Sequence, residues 1–219
     1  MDVWIKNDLY LNEHLAEEDN VLKNVLATSR ENNLPEWEVS TTQGKFLYLL
    51  AKMKNAKRVL EIGTLGGYST IWLARAVPDD GMVISLEYDE LYADVSRKNI
   101  EYANLTHKVK IIQGAALDLI NKMIANNEEP FDMIFIDADK PNNPKYLELS
   151  LKLSKSGTVI FGDNVIRDGQ LCNASSTDEK VIGVRQFVEN MGMSDKLESS
   201  ALQTVGIKGY DGFTISVVK

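Results

Sequence analysis

The sequence predicts a doubly wound α/β fold, and three observations lead there. Five short apolar runs are each closed by turn residues. A helical pattern follows each run. The runs are apolar on nearly every position, which suits strands buried on both faces of a parallel sheet. Alternation of this kind produces right-handed crossovers with helices on both faces.

Taken in order, residues 1–55 are helical in character and precede the first strand. Val21, Leu22, Val25 and Leu26 have helical spacing. Ser40 with Gln43 has the S-x-x-Q form of a capping box before Phe46, Leu47, Leu49 and Leu50. These helices read first as a cover for one sheet face; a roof over a ligand site or a dimer contact is the sharper alternative. The predicted strands are Arg58–Ile62, Met82–Glu87, Lys110–Gln113, Met133–Asp137 and Thr158–Gly162. The predicted helices between and after them are Ser69–Ala76, Leu91–Tyr102, Leu117–Asn126, Pro144–Leu153 and Glu179–Met191. The polar stretch Asp168–Glu179 reads as a long surface loop. Leu202–Val205 and Phe213–Val218 flank a Gly-rich connection and read as an antiparallel hairpin at the end of the sheet.

The 219 residues fit one domain: a helical cover (1–55) and an α/β core (56–219). With 24 Lys+Arg against 32 Asp+Glu the net charge is −8, which argues against a broad nucleic-acid-binding face. The single cysteine, Cys172, excludes a disulfide framework, and it has no catalytic partner nearby in sequence. His14 and His107 match no metal-ligand spacing. The charged first residues contain no signal-like apolar core, and no apolar run reaches the roughly 20 residues that span a bilayer. A cytoplasmic protein without a membrane partner is expected.

The stretch Glu61-Ile-Gly63-Thr-Leu-Gly66-Gly67-Tyr68-Ser69 follows a strand and opens a helix, so its glycines admit close approach of a ligand. It lacks the lysine of a P-loop and does not fit G-x-G-x-x-G. Glu61 would repel a pyrophosphate there. A cofactor with an amino group and a sulfonium would be attracted, and S-adenosylmethionine (SAM) is such a cofactor. Glu87, ending the second strand, is placed to accept hydrogen bonds from ribose hydroxyls. Gly114-Ala115-Ala116 leaves room for a flat adenine.

Two further strands end in acids, Asp137 and Asp163, the latter followed by Asn164. Ligands of an open α/β sheet bind at the carboxyl ends of its strands. Glu61, Asp137, Asp163 and Asn164 would thus surround one crevice. Two Asp and one Asn are hard oxygen donors, suited to Mg²⁺, Ca²⁺ or Mn²⁺; the competing reading is a simple turn cap at Asp163-Asn164. Lys140 follows Asp137 by three residues. Beside a divalent cation its pKa should fall, so that it can take a phenolic proton.

With these residues in view, the chain resembles the cation-dependent class I O-methyltransferases of the caffeoyl-CoA and catechol group, from about Val39 to the C-terminus. The carriers are Leu60-Glu61-Ile-Gly63-x-x-x-Gly67-Tyr68-Ser69, Phe135-Ile-Asp137-Ala-Asp139-Lys140, Gly162-Asp163-Asn164 and Gly209-Tyr-Asp-Gly212. The resemblance implies a Rossmann-like seven-stranded sheet of order 3-2-1-4-5-7-6 and a homodimer. It implies cofactor contacts from Val39, Glu61, Gly63, Tyr68, Ser69, Glu87, Ala115, Ala116 and Asp137. Asp137, Asp163 and Asn164 would hold the metal, Mg²⁺ first among the choices, and Lys140 would be the general base beside Asp137. Pro141-Asn142-Asn143-Pro144 departs from the Asp-Asn-Tyr of plant members, and no basic cluster for coenzyme A appears near the N-terminus. A free catechol, hydroxycinnamate or flavonoid is the expected substrate. A tRNA wobble hydroxyuridine is the alternative, with Arg167, Lys180 and Arg185 as its patch. An NAD-dependent oxidoreductase and a non-catalytic SAM-binding regulator are the readings from other classes.

Overall fold

β1 (Arg58–Ile62) is the third strand of a seven-stranded sheet in the computed structural model, which describes all 219 residues. β2 (Met82–Glu87) and β3 (Val109–Gln113) add in parallel on one side, and β4 (Phe131–Ile136) and β5 (Ser154–Asp163) on the other. β7 (Gly209–Val218) pairs antiparallel with β5, and β6 (Leu197–Gly206) forms the outer edge, completing the order 3-2-1-4-5-7-6. This is the expected topology. Chain direction across the sheet reverses between β1 and β4, and a crevice opens at that switch point.

Strand alternation builds two separate cores. Val59, Phe135 and Phe161 face a layer of α2 (Asn20–Glu31), α3 (Thr41–Lys54), α4 (Tyr68–Ala76) and α5 (Glu90–Tyr102). Their neighbours Leu60, Ile136 and Ile160 face α6 (Ala116–Ala125), α7 (Asn143–Lys152) and α8 (Glu179–Met193). Nearly all of these strand side chains are fully buried, at roughly 1.5–3 kcal/mol each, which is why the runs show no polar alternation. α1 (Val3–Leu15) buries none of its own side chains, and it contacts α3 and β6.

Helix starts follow local chemistry. Asp19 Oδ1 accepts from the Leu22 amide at 3.0 Å, and Asp178 Oδ1 from that of Lys180 at 2.8 Å. Ser40 Oγ accepts from the Gln43 amide at 3.2 Å. The return bond of the expected capping box is missing, because the Gln43 side chain turns into the crevice. β5 begins four residues earlier than the sequence suggests. The terminal hairpin is also longer: its strands extend to Gly206 and Gly209 around the two-residue turn Ile207-Lys208. No helix is long and apolar enough to cross a membrane.

Candidate active site

At the carboxyl ends of β1, β2, β4 and β5 lies a cavity of about 1070 Å³. Its floor begins with the glycine turn after β1. Gly63 has φ +99°, and a methyl group there would overlap the Asp137 carbonyl oxygen, so only glycine lets the two strand ends meet. Gly67 has φ +85° and starts α4. The turn is clamped by Glu87. Its Oε2 accepts from the amides of Thr64 at 3.1 Å and Leu65 at 2.8 Å, and its Oε1 from that of Asp89 at 2.9 Å. The expected ribose acceptor therefore lines the cavity with most of its acceptor sites already committed to backbone.

Val39, Gly63, Tyr68, Ser69, Glu87, Ala115, Ala116 and Asp137 all line this cavity. Glu61 does not. β-strand alternation turns it towards α4, where it is fully buried and accepts from Ser69 at 2.6 Å, Thr70 at 2.5 Å and Ser85 at 2.5 Å. Burial raises its carboxyl to about 7, the three hydroxyl donors oppose that rise, and the charge of Asp137 adds to it. The expectation that Glu61 stands at the crevice mouth is corrected: it orients Ser69 from behind. Tyr68 donates to Glu18 at 2.5 Å, which ties the α1–α2 connection to α4. The N-terminal helices are thus a cover and also a wall, since Leu26, Ser29, Val39, Ser40 and Gln43 reach the cavity.

The same cavity holds Asp137, Lys140, Asp163 and Asn164. Lys140 Nζ, on a buried side chain, lies 2.8 Å from Asp137 Oδ1. Asp163 is buried, and its carboxyl is raised to about 7 by burial first and by repulsion from Asp137 second, with Lys140 acting in the opposite sense. No third carboxylate, histidine or cysteine joins the two to make a denser cluster. Asn164 has φ +54°, a left-handed conformation that asparagine tolerates better than most residues.

Some cavity residues carried no assigned role in the sequence reading. Tyr146 donates to Asp139 Oδ1 at 2.5 Å, while Asn142 donates to Oδ2 at 2.5 Å, so Asp139 braces this wall. Burial and Asp139 push the Tyr146 hydroxyl well above its ordinary range. Trp37 and Lys208 stand at the mouth, where Lys208 Nζ is 3.0 Å from Glu38 Oε1. Nothing in a single sequence brings the hairpin tip beside residue 38. Cys172 and His107 are exposed and have no part in the cavity.

A glycine turn and a set of hard oxygen donors thus line one cavity. The O-methyltransferase family model matches residues 12–217. The chain belongs to the O-methyltransferase family. A catechol O-methyltransferase of Niastella koreensis is 46% identical over 212 residues, covering 97% of this chain and 96% of that one. The solved O-methyltransferase from Bacillus cereus in complex with SAH is 50% identical, with a TM-score of 0.97 over 99% of this chain and 98% of that one. O-methyltransferase TomG from Streptomyces achromogenes, solved in complex with SAM, is 41% identical, with a TM-score of 0.95 over 99% and 97% of the two chains. Membership in this O-methyltransferase family sets aside the oxidoreductase reading.

Proposed function

We propose that this O-methyltransferase moves the methyl group of SAM to one hydroxyl of a small catechol-type aromatic, with a divalent cation bound beside it. The observation that carries the reading is the presence of two sets of residues in one cavity. Backbone and small side chains at Gly63, Ser69, Ala115 and Ala116 suit a nucleoside cofactor. Asp137, Lys140, Asp163 and Asn164 suit an acidic hydroxyl pair. The resemblance to a catechol O-methyltransferase, and to O-methyltransferases solved in complex with SAH and SAM, supports both halves.

The residues fit a hard cation. Two neighbouring carboxylates, one buried and raised by its neighbour's charge, want a proton or a cation between them. Asp137, Asp163 and Asn164 would hold Mg²⁺ in preference to zinc, because all three present oxygen. Such a cation, when bound, makes a coordinated phenol more acidic. SAM supplies an electrophilic methyl on its sulfonium. Lys140, directed by Asp137, would take the phenolic proton on Nζ in its neutral form, which a neighbouring cation would favour. The cavity walls would hold the acceptor hydroxyl close to the cofactor. Val39, Tyr68, Ser69, Glu87 and Asp137 position the cofactor, and Glu61 fixes Ser69.

We also infer a single catalytic domain, residues 1–55 covering 56–219, working in the cytoplasm as a homodimer. The unburied α1 with Trp4 and Tyr10, beside the edge strand β6 with Leu202 and Val205, supports a self-association surface. The deciding experiment is transfer of labelled methyl from SAM to catechols, flavonoids and bulk tRNA, with and without EDTA. EDTA-sensitive methylation of catechols is expected. Full activity in EDTA would remove the cation, and labelling of tRNA alone would replace the substrate. Arg185, one member of the alternative tRNA patch, is 3.8 Å from Glu189 and donates to the Asn173 carbonyl, so that patch is partly neutralised.

A further inference from the structure

The chain has six arginines. Arg30, Arg58, Arg75, Arg97 and Arg185 each lie within ion-pair distance of a carboxylate. Arg167 pairs with none, and it lines the cavity three residues after Asn164. Its Nε is buried and has no hydrogen-bond partner. A guanidinium is always charged at physiological pH, and a buried donor without an acceptor is costly.

Three carboxylates close to it in the chain or cavity have other duties, and Asp168, next in the chain, is exposed and makes no ion pair with it. Asp211 Oδ1 accepts from the amides of Ile166 at 2.9 Å and Arg167 at 3.2 Å, which pins the backbone and leaves the side chain free. Asp139 is occupied by Tyr146 and Asn142. Asp137 is taken by Lys140. The backbone is held in an unfavourable shape to present this residue: Arg167 and Asp168 both have φ +54°. Non-glycine residues in that region cost about 1–3 kcal/mol each and persist where the surroundings impose them. Lys180, also without an ion pair, lines the same cavity.

We propose that Arg167 is a specificity-determining residue that binds an anionic group, a carboxylate, on the acceptor's ring substituent. The assignment rests on the catechol reading above and narrows it to acidic catechols. The fork of a guanidinium matches a carboxylate in two parallel hydrogen bonds. A ring held by its hydroxyls at Asp137, Asp163 and Asn164 would then be fixed at both ends.

The test compares 3,4-dihydroxybenzoate with its neutral counterpart, 3,4-dihydroxybenzamide, in steady-state methylation with SAM and Mg²⁺. The wild-type kcat/KM is expected to favour the acid by about tenfold, the size of one good charge-assisted contact. In Arg167→Gln the acid-over-amide ratio should collapse to near one, mainly through the KM of the acid. Arg167→Lys should restore part of it. An equal fall for both acceptors would make Arg167 merely structural and overturn the assignment. A wild-type enzyme that methylates both acceptors equally well would overturn it while leaving the catechol reading intact. Methylation of neither would remove both. Calorimetric titration with SAM supplies a further check: weakened SAM binding in Arg167→Gln would assign the guanidinium to the cofactor instead.

Discussion

Lys140 holds its amine 2.8 Å from Asp137 Oδ1, three residues back along the chain. A short 3-10 turn, Lys140–Asn142, begins at the lysine and keeps the pair at the cavity wall. The arrangement gives Lys140 one direction in which to work. Lys140→Met keeps the bulk and removes the amine. A positioned base contributes about 10²–10⁴-fold, so kcat should fall by at least about a hundredfold. SAM affinity, measured by calorimetry, should change little. Part of the rate should return at high pH, where the phenol ionises unaided. An unaltered kcat would take the base role away from Lys140.

Asp163→Ala separates metal from cofactor. The side chain is buried, feels the charge of Asp137 and ends β5 at the cavity. Methylation should be lost, Mg²⁺ titration heats should vanish, and SAM should still bind. Cation binding equal to wild type would show that Asp163 is no ligand.

The central strands were legible because they are buried on both faces, and burial of that kind writes itself into sequence as unbroken apolar runs such as Val159–Phe161. The strand order, by contrast, came with the family resemblance, and β6, exposed along most of its length, carries no such run. That Asp137 and Asp163 reach one cavity was legible, since each closes a parallel strand of the same sheet. Direction was not legible. Glu61 and Asp137 both close central strands, yet one points into a helix face and the other into the crevice, and only the pleat decides which. Arg167 was visible as a charge, but its lack of a partner is a fact of three-dimensional packing. The Lys208–Glu38 contact spans 170 residues of chain and has no local signature.

Gly63→Ala tests the meeting of β1 with the end of β4. Alanine at φ +99° is strained, and its methyl would overlap the Asp137 carbonyl oxygen. Stability should drop by at least about 1–2 kcal/mol, read as a lower urea midpoint. Because Asp137 would have to move, catalysis should fall further than the lost fraction of folded protein explains. A variant of wild-type stability and rate would show that the two strand ends have slack.

Glu61 makes stability depend on pH, in a direction opposite to that of an ordinary paired carboxylate. Its carboxyl is raised from 4.5 to about 7 by burial, despite three hydroxyl donors. The unfolded chain gives up this proton near 4.5, and the folded chain keeps it until about 7. Between those values the folded state binds more protons, so stability falls as pH rises. The contribution is complete below the lower value and gone above the upper one, at about 1.4 kcal/mol per pH unit of displacement. Glu61→Gln cannot ionise, and the hydroxyls of Ser69, Thr70 and Ser85 can turn to meet an amide. Its urea midpoint should therefore gain on that of the wild type from pH 5 to pH 8, by an amount equivalent to a few kcal/mol. Parallel pH curves for the two proteins would mean that Glu61 is ionised throughout, held so by its three donors.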